Sequence, residues 1–196
     1  MSTILVISGP AGVGKTTICD RLLNEFGSKL SRVVTTTTRR PREGEKEGED
    51  YFFTSVQEFH ELLENEAFLE NEVIHGNYYG TRKKTVFEKI ENKQNILINI
   101  DVKGAGSLGK EIYKHKNFEG KMITIFLKPE SLEVLKKRLT MRATDAKSDI
   151  ETRLETAKQE LTLAHSFDYI IVSKDREHDY ESVKKIFRKY LNLPSD

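Results

Sequence analysis

The feature that most constrains the fold is a glycine-rich stretch near the start of the chain, Gly9-Pro10-Ala11-Gly12-Val13-Gly14-Lys15-Thr16. It follows a short β-branched apolar run at 4–7 and precedes a segment whose apolar residues have helical spacing. A strand, a glycine loop and a helix in this order are typical of a phosphate-binding loop. Backbone N–H groups in such a loop surround phosphate oxygens, and the helix N-terminus adds its dipole. We therefore expect this stretch to bind a nucleoside triphosphate.

Two side chains in this stretch have the chemistry that phosphoryl groups require. The ammonium of Lys15 is expected to reach the β- and γ-phosphates, and the hydroxyl of Thr16 suits Mg²⁺. The predicted triphosphate site comprises Gly9, Pro10, Ala11, Gly12, Val13, Gly14, Lys15, Thr16 and Thr17.

Composition excludes several other classes of protein. The 196 residues suffice for about one domain, and a net charge of +1 with 32% charged residues gives no global field for nucleic acid or an anionic membrane. The single cysteine, Cys19, has no partner for an internal disulfide. No charged-then-apolar leader and no apolar run of about 20 residues occur in the sequence. We expect a soluble, cytoplasmic protein, and a homo-oligomer is left open.

The rest of the chain alternates between predicted strands and helices. Apolar strands are predicted at 4–7, 30–35, 95–101, 122–127 and 169–172, with helical segments between them and at the end. This alternation predicts an α/β fold with right-handed crossovers and a parallel sheet covered on both faces. Residues from about 36 to 83 interrupt it with aromatic-rich extended segments and a capping box at Ser55 and Glu58, so they predict an insertion with its own small sheet.

Ligands of open parallel sheets bind beyond the carboxyl ends of the strands, and this rule selects Asp101. Asp101 follows the strand at 95–101 and is a candidate for holding Mg²⁺ through a water or for binding a polar group of the substrate. The alternative is that Asp101 only caps the helix that follows it.

Charged and phenolic residues of the insertion form a second candidate site. Arg39 and Arg42 lie three apart in a loop and are suited to clamp another phosphate, with Tyr51 and Tyr79 as donors to the same group. A solvated charge run is the alternative. The carboxylates Glu70 and its neighbour two residues on, Glu72, would project from one face of a strand, as site residues or as surface charges.

Three arginines near residues 138–153 suggest a mobile lid. Arg138 and Arg142 are one helical turn apart, and Arg153 begins the next predicted helix. Together they would neutralise charge on transferring phosphates and exclude water. The alternative is salt bridging on the helix surface with Glu133, Asp149 or Glu151.

At these residues the sequence resembles the guanylate kinases. The matching blocks are residues 9–16, Thr38-Arg39-Arg40-Pro41-Arg42-Glu43-Gly44-Glu45, Gly48-Glu49-Asp50-Tyr51, Phe68-Leu69-Glu70, Gly76-Asn77-Tyr78-Tyr79-Gly80, Ile100-Asp101-Val102-Lys103-Gly104 and Arg138-Leu139. The match spans nearly the whole chain, and the blocks at 39–45 and 76–80 are its most specific parts.

The resemblance implies a P-loop three-layer α/β/α fold that transfers the γ-phosphoryl group of ATP to GMP, and to dGMP as well, with Mg²⁺ as cofactor. It implies a core at 1–35, 84–138 and 154–196, a GMP-binding insertion at about 36–83 and a lid at about 139–153. Catalytic roles would fall to Lys15, Arg39, Arg138, Arg142 and Arg153. GMP would be bound by Thr35, Arg39, Arg42, Tyr51, Glu70, Tyr79, Thr81 and Asp101. The carboxylate of Glu70 would accept hydrogen bonds from the guanine N1–H and 2-amino groups, and adenine has neither donor.

The sequence departs from the family pattern at five places: Ala11 for Ser, Asn99 for Asp, Lys103 for Gln, Ala143 for Gly, and Ser173-Lys174 for Asn-Asp. None removes a charge that the transfer needs, but Asn99 could weaken Mg²⁺-water or guanine contacts and Ser173 could alter adenine contacts. A non-catalytic peptide-binding module, a small GTPase-like protein and a kinase for another nucleoside monophosphate are the rival interpretations. The intact Lys15, the absence of an N-K-x-D element and Glu70, respectively, argue against them.

Overall fold

A computed structural model of the chain describes residues 2–74, 76–116, 118–141 and 147–191, of which 147–149 are described by their backbone alone. The lid arginine Arg142, the departure at Ala143 and the middle of the predicted lid, 142–146, therefore lie outside the described ranges, and the side chain of Asp149 is not described.

The described chain contains nine strands and seven α-helices, and apart from the segment at 30–35 their order follows the sequence prediction. They are β1 (Thr3–Ser8), α1 (Lys15–Phe26), β2 (Ser31–Arg32), β3 (Thr35–Thr37), β4 (Tyr51–Phe53), α2 (Val56–Glu64), β5 (Phe68–Ile74), β6 (Asn77–Arg82), α3 (Lys83–Glu91), β7 (Ile96–Asn99), α4 (Val102–Lys114), β8 (Lys121–Pro129), α5 (Leu132–Thr140), α6 (Lys147–Thr162), β9 (Tyr169–Ser173) and α7 (Arg176–Tyr190).

The central sheet has the strand order β2-β7-β1-β8-β9, and every neighbouring pair is parallel. The predicted parallel α/β sheet is thus confirmed. Because β1 lies in the middle of this sheet, the glycine-rich loop that follows it emerges at the centre of the carboxyl edge. That position lets polar residues after β7 and β8 lie on either side of the loop.

Both faces of the central sheet are buried under helices. Successive residues of β1 alternate between the two sides: Ile4 and Val6 pack toward α3 and α4, and Leu5 and Ile7 pack toward α1 and α7. Burying each of these aliphatic side chains contributes roughly 1.5–3 kcal/mol to stability. A continuous apolar strand such as β1 is therefore what a sheet covered on both faces requires.

A second sheet is built from the segment predicted as an insertion, with the order β4-β3-β6-β5. The strands β5 and β6 form an antiparallel hairpin, and β3 pairs with β6 antiparallel and with β4 parallel. The helix α2 is closed at its start by the predicted capping box, in which Ser55 and Glu58 bond reciprocally to each other's backbone. This sheet faces the central sheet across the loop edge.

The prediction of one continuous strand over 30–35 is wrong. Only Ser31 and Arg32 form a strand of the central sheet, and Val33 adds one more hydrogen bond, from its N–H to Leu97 O at 2.9 Å. Thr35 then starts β3 in the second sheet. A run of β-branched residues favours extended backbone but does not specify which sheet it pairs with. The chain crosses from one sheet to the other within this run.

The helices α5 and α6 pack on each other through a small apolar cluster of their own, formed by Leu135, Leu139, Ile150 and Ala157 with Leu132 and Leu154 beside them. The predicted apolar stripe on the second of these helices is confirmed at Ile150, Leu154 and Ala157.

Candidate active site

The glycine-rich loop has a backbone that side chains would disrupt. Gly9 has φ +133°, and a Cβ there would lie 2.4 Å from the carbonyl oxygen of Leu127 on β8. The loop then turns tightly, with the N–H of Val13 donating to Pro10 O at 3.2 Å. Glycine at position 9 therefore lets the loop leave β1 in close contact with the neighbouring strand.

The helix α1 starts directly from this loop. Its N-terminus has no side-chain cap hydrogen bond, which is the arrangement in which a bound anion can complete the first turn. The ammonium of Lys15 folds back over the loop and donates to the carbonyls of Gly9 at 2.6 Å and Pro10 at 3.1 Å. The positive charge is thus held at the mouth of the loop.

A single cleft joins the loop to the second sheet and brings together most of the residues predicted for both sites. From the predicted triphosphate site it is lined by Gly9, Ala11, Gly12, Gly14, Lys15, Thr16 and Thr17. From the predicted GMP site it is lined by Thr35, Arg39, Arg42, Tyr51, Glu70, Tyr79 and Asp101, and from the predicted lid by Arg153.

Four other predicted residues lie elsewhere. Pro10, within the loop, is buried, and Val13 and Arg138 border a second depression on the far side of the loop, next to α7. Thr81 is fully buried in β6, where it is paired with Glu70 of β5. The structure therefore separates Arg138 from the arginine that lines the main cleft, Arg153.

The arginine loop of the second sheet is fixed by an acid that the sequence reasoning did not single out. One carboxylate oxygen of Glu45 accepts from Nη2 of Arg39 at 2.8 Å, and the other accepts from the backbone N–H of Arg42 at 2.8 Å. The sequence did contain a signal for Glu45, because this residue is the last one of the matching block at 38–45. The loop is thereby closed with both arginines on the cleft.

Two phenols flank the guanidinium of Arg39. It lies 5.3 Å from the centroid of the Tyr51 ring, and the rings of Tyr51 and Tyr79 meet edge to face with centroids 6.1 Å apart. Burial raises the pKa of the Tyr51 phenol, with the nearby Tyr79 adding to the effect. Tyr51 therefore stays a neutral hydrogen-bond donor near neutral pH.

Glu70 is a carboxylate at a buried position, with 5% of its surface exposed. Burial raises its pKa from 4.5 to about 7; Thr81 opposes that rise, and the charge of Asp101 adds to it. Although Thr81 is close enough to affect the pKa, its Oγ1 and the Oε1 of Glu70 are both buried without hydrogen-bond geometry to any described residue. Such orphaned polar atoms are costly unless a ligand satisfies them. By contrast, Glu72 is only half-buried.

The close approach of Glu70 to α4 depends on a glycine. A Cβ at Gly104 would lie 2.7 Å from Oε2 of Glu70 and 2.8 Å from Cδ1 of Ile100. Any larger residue at 104 would displace either the carboxylate or the helix. This close approach places the carboxylate of Glu70, in the second sheet, directly against α4, which packs on the central sheet.

Of the two roles that the sequence left as alternatives for Asp101, the structure shows the helix cap. It is the N-cap of α4, and its Oδ1 accepts from the N–H groups of Lys103 at 2.9 Å and Gly104 at 3.0 Å. It also lines the cleft. The cap hydrogen bonds use one oxygen and so hold the side chain in a fixed position at the strand end.

The helix α6 contributes a polar stripe to the cleft through Arg153, Thr156 and Glu160. Burial raises the pKa of Glu160. The positive charge of Lys15 opposes this shift, and the negative charge of Asp101 adds to it. Sequence reasoning missed Glu160, but the spacing of three and then four residues from Arg153 was a usable signal, because it places all three on one helix face. Arg153 is thus accompanied on this helix face by an acid that is close enough to Lys15 to feel its charge.

A candidate position for a divalent cation lies between α1 and β7. The amide nitrogen of Asn99 is 3.5 Å from the hydroxyl of Thr16, and both line the cleft with Asp101. Within the described ranges, no group of three or more His, Cys, Asp or Glu side chains forms an all-protein cation site. Magnesium commonly takes few protein ligands and completes its shell with water and phosphate oxygens, so a hydroxyl and one carboxylate fit it.

These features define the class: a nucleotide-binding α/β protein with a P-loop, in which a second cationic site faces the loop across one cleft. Among the helices that the structure describes, none is long and apolar enough to cross a membrane.

Comparisons with known proteins identify the family. The guanylate kinase family model matches residues 1–190, so this chain belongs to the guanylate kinase family. The guanylate kinase of Clostridium acetobutylicum is 40% identical over 183 residues, covering 93% of this chain and 83% of that protein. The guanylate kinase of Clostridioides difficile is 39% identical over 193 residues, covering 98% and 90%. A crystal structure of guanylate kinase from Anaplasma phagocytophilum superposes with a TM-score of 0.76 at 30% identity, covering 96% of this chain and 85% of that one.

Proposed function

We propose that this chain transfers the γ-phosphoryl group of ATP to GMP, giving ADP and GDP. The observation that carries the proposal is the single cleft in which the glycine-rich loop faces the buried carboxylate Glu70 and the arginines of the second sheet. Membership of the guanylate kinase family agrees with it.

In this proposal the loop binds the donor. Residues 9–17 receive the phosphates of ATP, with the ammonium of Lys15 moving from the loop carbonyls to the β- and γ-phosphate oxygens. Thr16, and Asp101 through a water, would hold Mg²⁺, which when bound neutralises phosphate charge. These residues orient the donor for in-line attack and keep its charge balanced.

The second sheet binds the acceptor. Arg39, Arg42, Tyr51 and Tyr79 hold the GMP phosphate, and Thr35, Glu70, Thr81 and Asp101 surround the guanine. The unpaired Oε1 of Glu70 and Oγ1 of Thr81 are the atoms that guanine would satisfy. Adenine lacks the N1–H donor and would leave the carboxylate unpaired, and polar sites of this kind reject such analogues by roughly 10⁴-fold.

Transfer needs no general base. The phosphate monoester of GMP has a second pKa of about 6 and is mostly dianionic at neutral pH, so it is already a nucleophile. The proposed organisation is a core at 1–35, 84–138 and 154–196, a GMP-binding insertion at about 36–83 and a lid at about 139–153. Arg142 and Arg153 belong to the lid and are proposed to close over the transferring group, whereas Arg138 belongs to the core and would meet the donor nucleotide from the far side of the loop. The guanidinium groups would neutralise the equatorial oxygens and exclude water.

The test is an ADP-release assay with ATP, Mg²⁺ and one of GMP, dGMP, AMP, UMP or dTMP, with a reaction lacking any acceptor as the control. We expect turnover with GMP and dGMP only. Comparable turnover with AMP would overturn the acceptor assignment, hydrolysis of GTP in a parallel reaction without an acceptor would favour a GTPase-like protein, and no turnover with any acceptor would favour a binding module.

A further inference from the structure

The carboxylate of Asp179 on α7 is buried although no predicted site includes it. Only 4% of its surface is exposed. Carboxylates are almost never buried to this extent unless they are paired, because an ionised group loses its hydration. Asp179 must therefore have hydrogen-bond partners that offset the free-energy cost of removing its carboxylate from water.

Both oxygens of Asp179 have partners at the end of β9. Oδ2 accepts from the hydroxyl of Ser173 at 2.6 Å, and Oδ1 accepts from the N–H of Lys174 at 2.9 Å. The ring nitrogen Nδ1 of His178 lies 3.2 Å from Oδ1. Ser173 is itself fully buried. The carboxylate thus fixes the turn between β9 and α7 and the orientation of one hydroxyl.

The hydrogen-bond chain continues to Arg138 of α5. A hydroxyl has one proton, and that of Ser173 is used toward Asp179, so its lone pairs accept from Nη1 of Arg138 at 3.0 Å. The same Nη1 donates to the carbonyl of Val13 in the loop at 3.2 Å, and Nη2 donates to the carbonyl of Lys174 at 3.1 Å. Three acceptors from two separate segments therefore hold the guanidinium fork beside the glycine-rich loop.

We propose that Asp179 is a positioning residue for Arg138, acting through Ser173. The acid orients the serine hydroxyl as an acceptor, and the hydroxyl sets the guanidinium on the far side of the loop before a donor nucleotide arrives. Arg138 would then lose less side-chain freedom when ATP binds. The inference rests on the proposed function only in taking ATP as the ligand that Arg138 meets.

The experiment measures ATP affinity directly by calorimetry, in Asp179→Ala and in the smaller change Ser173→Ala. We expect each variant to weaken ATP binding by about 3- to 10-fold, the scale of immobilising one side chain. GMP affinity should stay within about twofold of the parent. Glu181→Gln, which removes an exposed carboxylate from the same helix, is the matched control and should change neither affinity.

The decisive measurement repeats Asp179→Ala in an Arg138→Ala background. If Asp179 acts through Arg138, its removal no longer changes ATP affinity once the arginine is absent. A loss of ATP affinity that persists in that background would overturn the proposal, because it would mean direct contact with the nucleotide or a general structural role. An equal loss of GMP affinity would also overturn it.

Two further arms keep the outcome interpretable. Should Asp179→Ala fail to fold, Ser173→Ala and the pair Ser173→Ala with Arg138→Ala form the same cycle without removing a buried charge. ATP binding is measured separately from phosphoryl transfer, so a parent protein that binds ATP but does not phosphorylate GMP would refute the proposed function and leave this test intact.

Discussion

The two halves of the cleft are built on opposite principles. On the donor side the predicted contacts come largely from consecutive backbone in one loop, with the side chains of Lys15 and Thr16 added. On the acceptor side they come from side chains on separate segments, β3, the loop at 38–45, β5 and β6. A site made of backbone depends on φ and ψ, whereas a site made of side chains depends on each residue. Apart from its glycines, Lys15 and Thr16, the donor side should therefore tolerate substitutions that the acceptor side does not.

The largest effect is expected at the donor side's one charged side chain. Lys15→Ala should lower kcat by about 10²- to 10⁴-fold, because the ammonium stabilises charge that develops on the phosphates during transfer. The KM for GMP should change little, since Lys15 is not among the acceptor ligands. Lys110→Ala, an exposed lysine on α4, is the control. Steady-state kinetics that show an unchanged kcat would remove Lys15 from the mechanism.

The next effect concerns Glu70. Glu70→Gln should lower kcat/KM for GMP by about 10- to 100-fold, since one charge-assisted acceptor for guanine is lost. In the parent, KM for GMP should rise as the pH falls below about 7, because the carboxylate takes up a proton there. The variant should lack this part of the pH profile. A selectivity for GMP over AMP that survives intact in the variant would assign guanine recognition to another residue.

Glu70→Gln should lower activity but raise the stability of the folded protein at alkaline pH. The folded pKa of Glu70 is about 7, above its ordinary value of 4.5, so the folded state binds this proton more tightly than the unfolded state does. The resulting stabilisation is complete below about pH 4.5 and is lost as the pH rises through 7, by up to about 3 kcal/mol. Glu70→Gln should therefore unfold at a higher temperature than the parent at pH 8 and at a similar one at pH 4.5. Equal differences at both pH values would contradict a raised pKa.

A smaller effect is expected at Arg42, which is exposed. Arg42→Ala should raise KM for GMP by about 10-fold with little change in kcat, because it removes a charge-assisted contact to the acceptor phosphate. The backbone bond from residue 42 to Glu45 is retained in the variant, so the loop should keep its shape. Arg40→Ala is the neighbouring control. Unchanged GMP kinetics in Arg42→Ala would refute the phosphate clamp.

The smallest effect is expected at Ala11, in the loop that depends on backbone. Ala11→Ser should change kcat and both KM values by no more than about twofold, since the N–H groups that surround phosphate are present in either residue. A tenfold change in any of these constants would show that the donor side also depends on side-chain identity and would break the contrast between the two halves.

The contrast also explains what could be predicted from the sequence. The loop, the order of strands and helices and the capping box were evident because local pattern dictates them. The continuous strand at 30–35 was wrong because pairing partners are set by the whole fold. Glu45 was missed because its contacts depend on how the loop at 38–45 folds. Glu160, near Lys15, and Asp179, linked to Arg138 through Ser173, were missed because their roles depend on distant segments meeting. Whether Glu70 rather than Glu72 is buried also depended on three-dimensional packing.

The contact between Glu70 and Gly104 has a geometric consequence for phosphoryl transfer. It sets the carboxylate that we propose binds guanine against α4, which follows β7, and β7 is hydrogen-bonded to β1, the strand that precedes the glycine-rich loop. In-line transfer requires reacting atoms to be placed within about 3–3.5 Å. If Glu70 binds guanine as proposed, a methyl group added at position 104 would move the carboxylate, and the base with it, away from α4. The absence of a side chain at Gly104 thus helps to set the distance between the two proposed nucleotide sites.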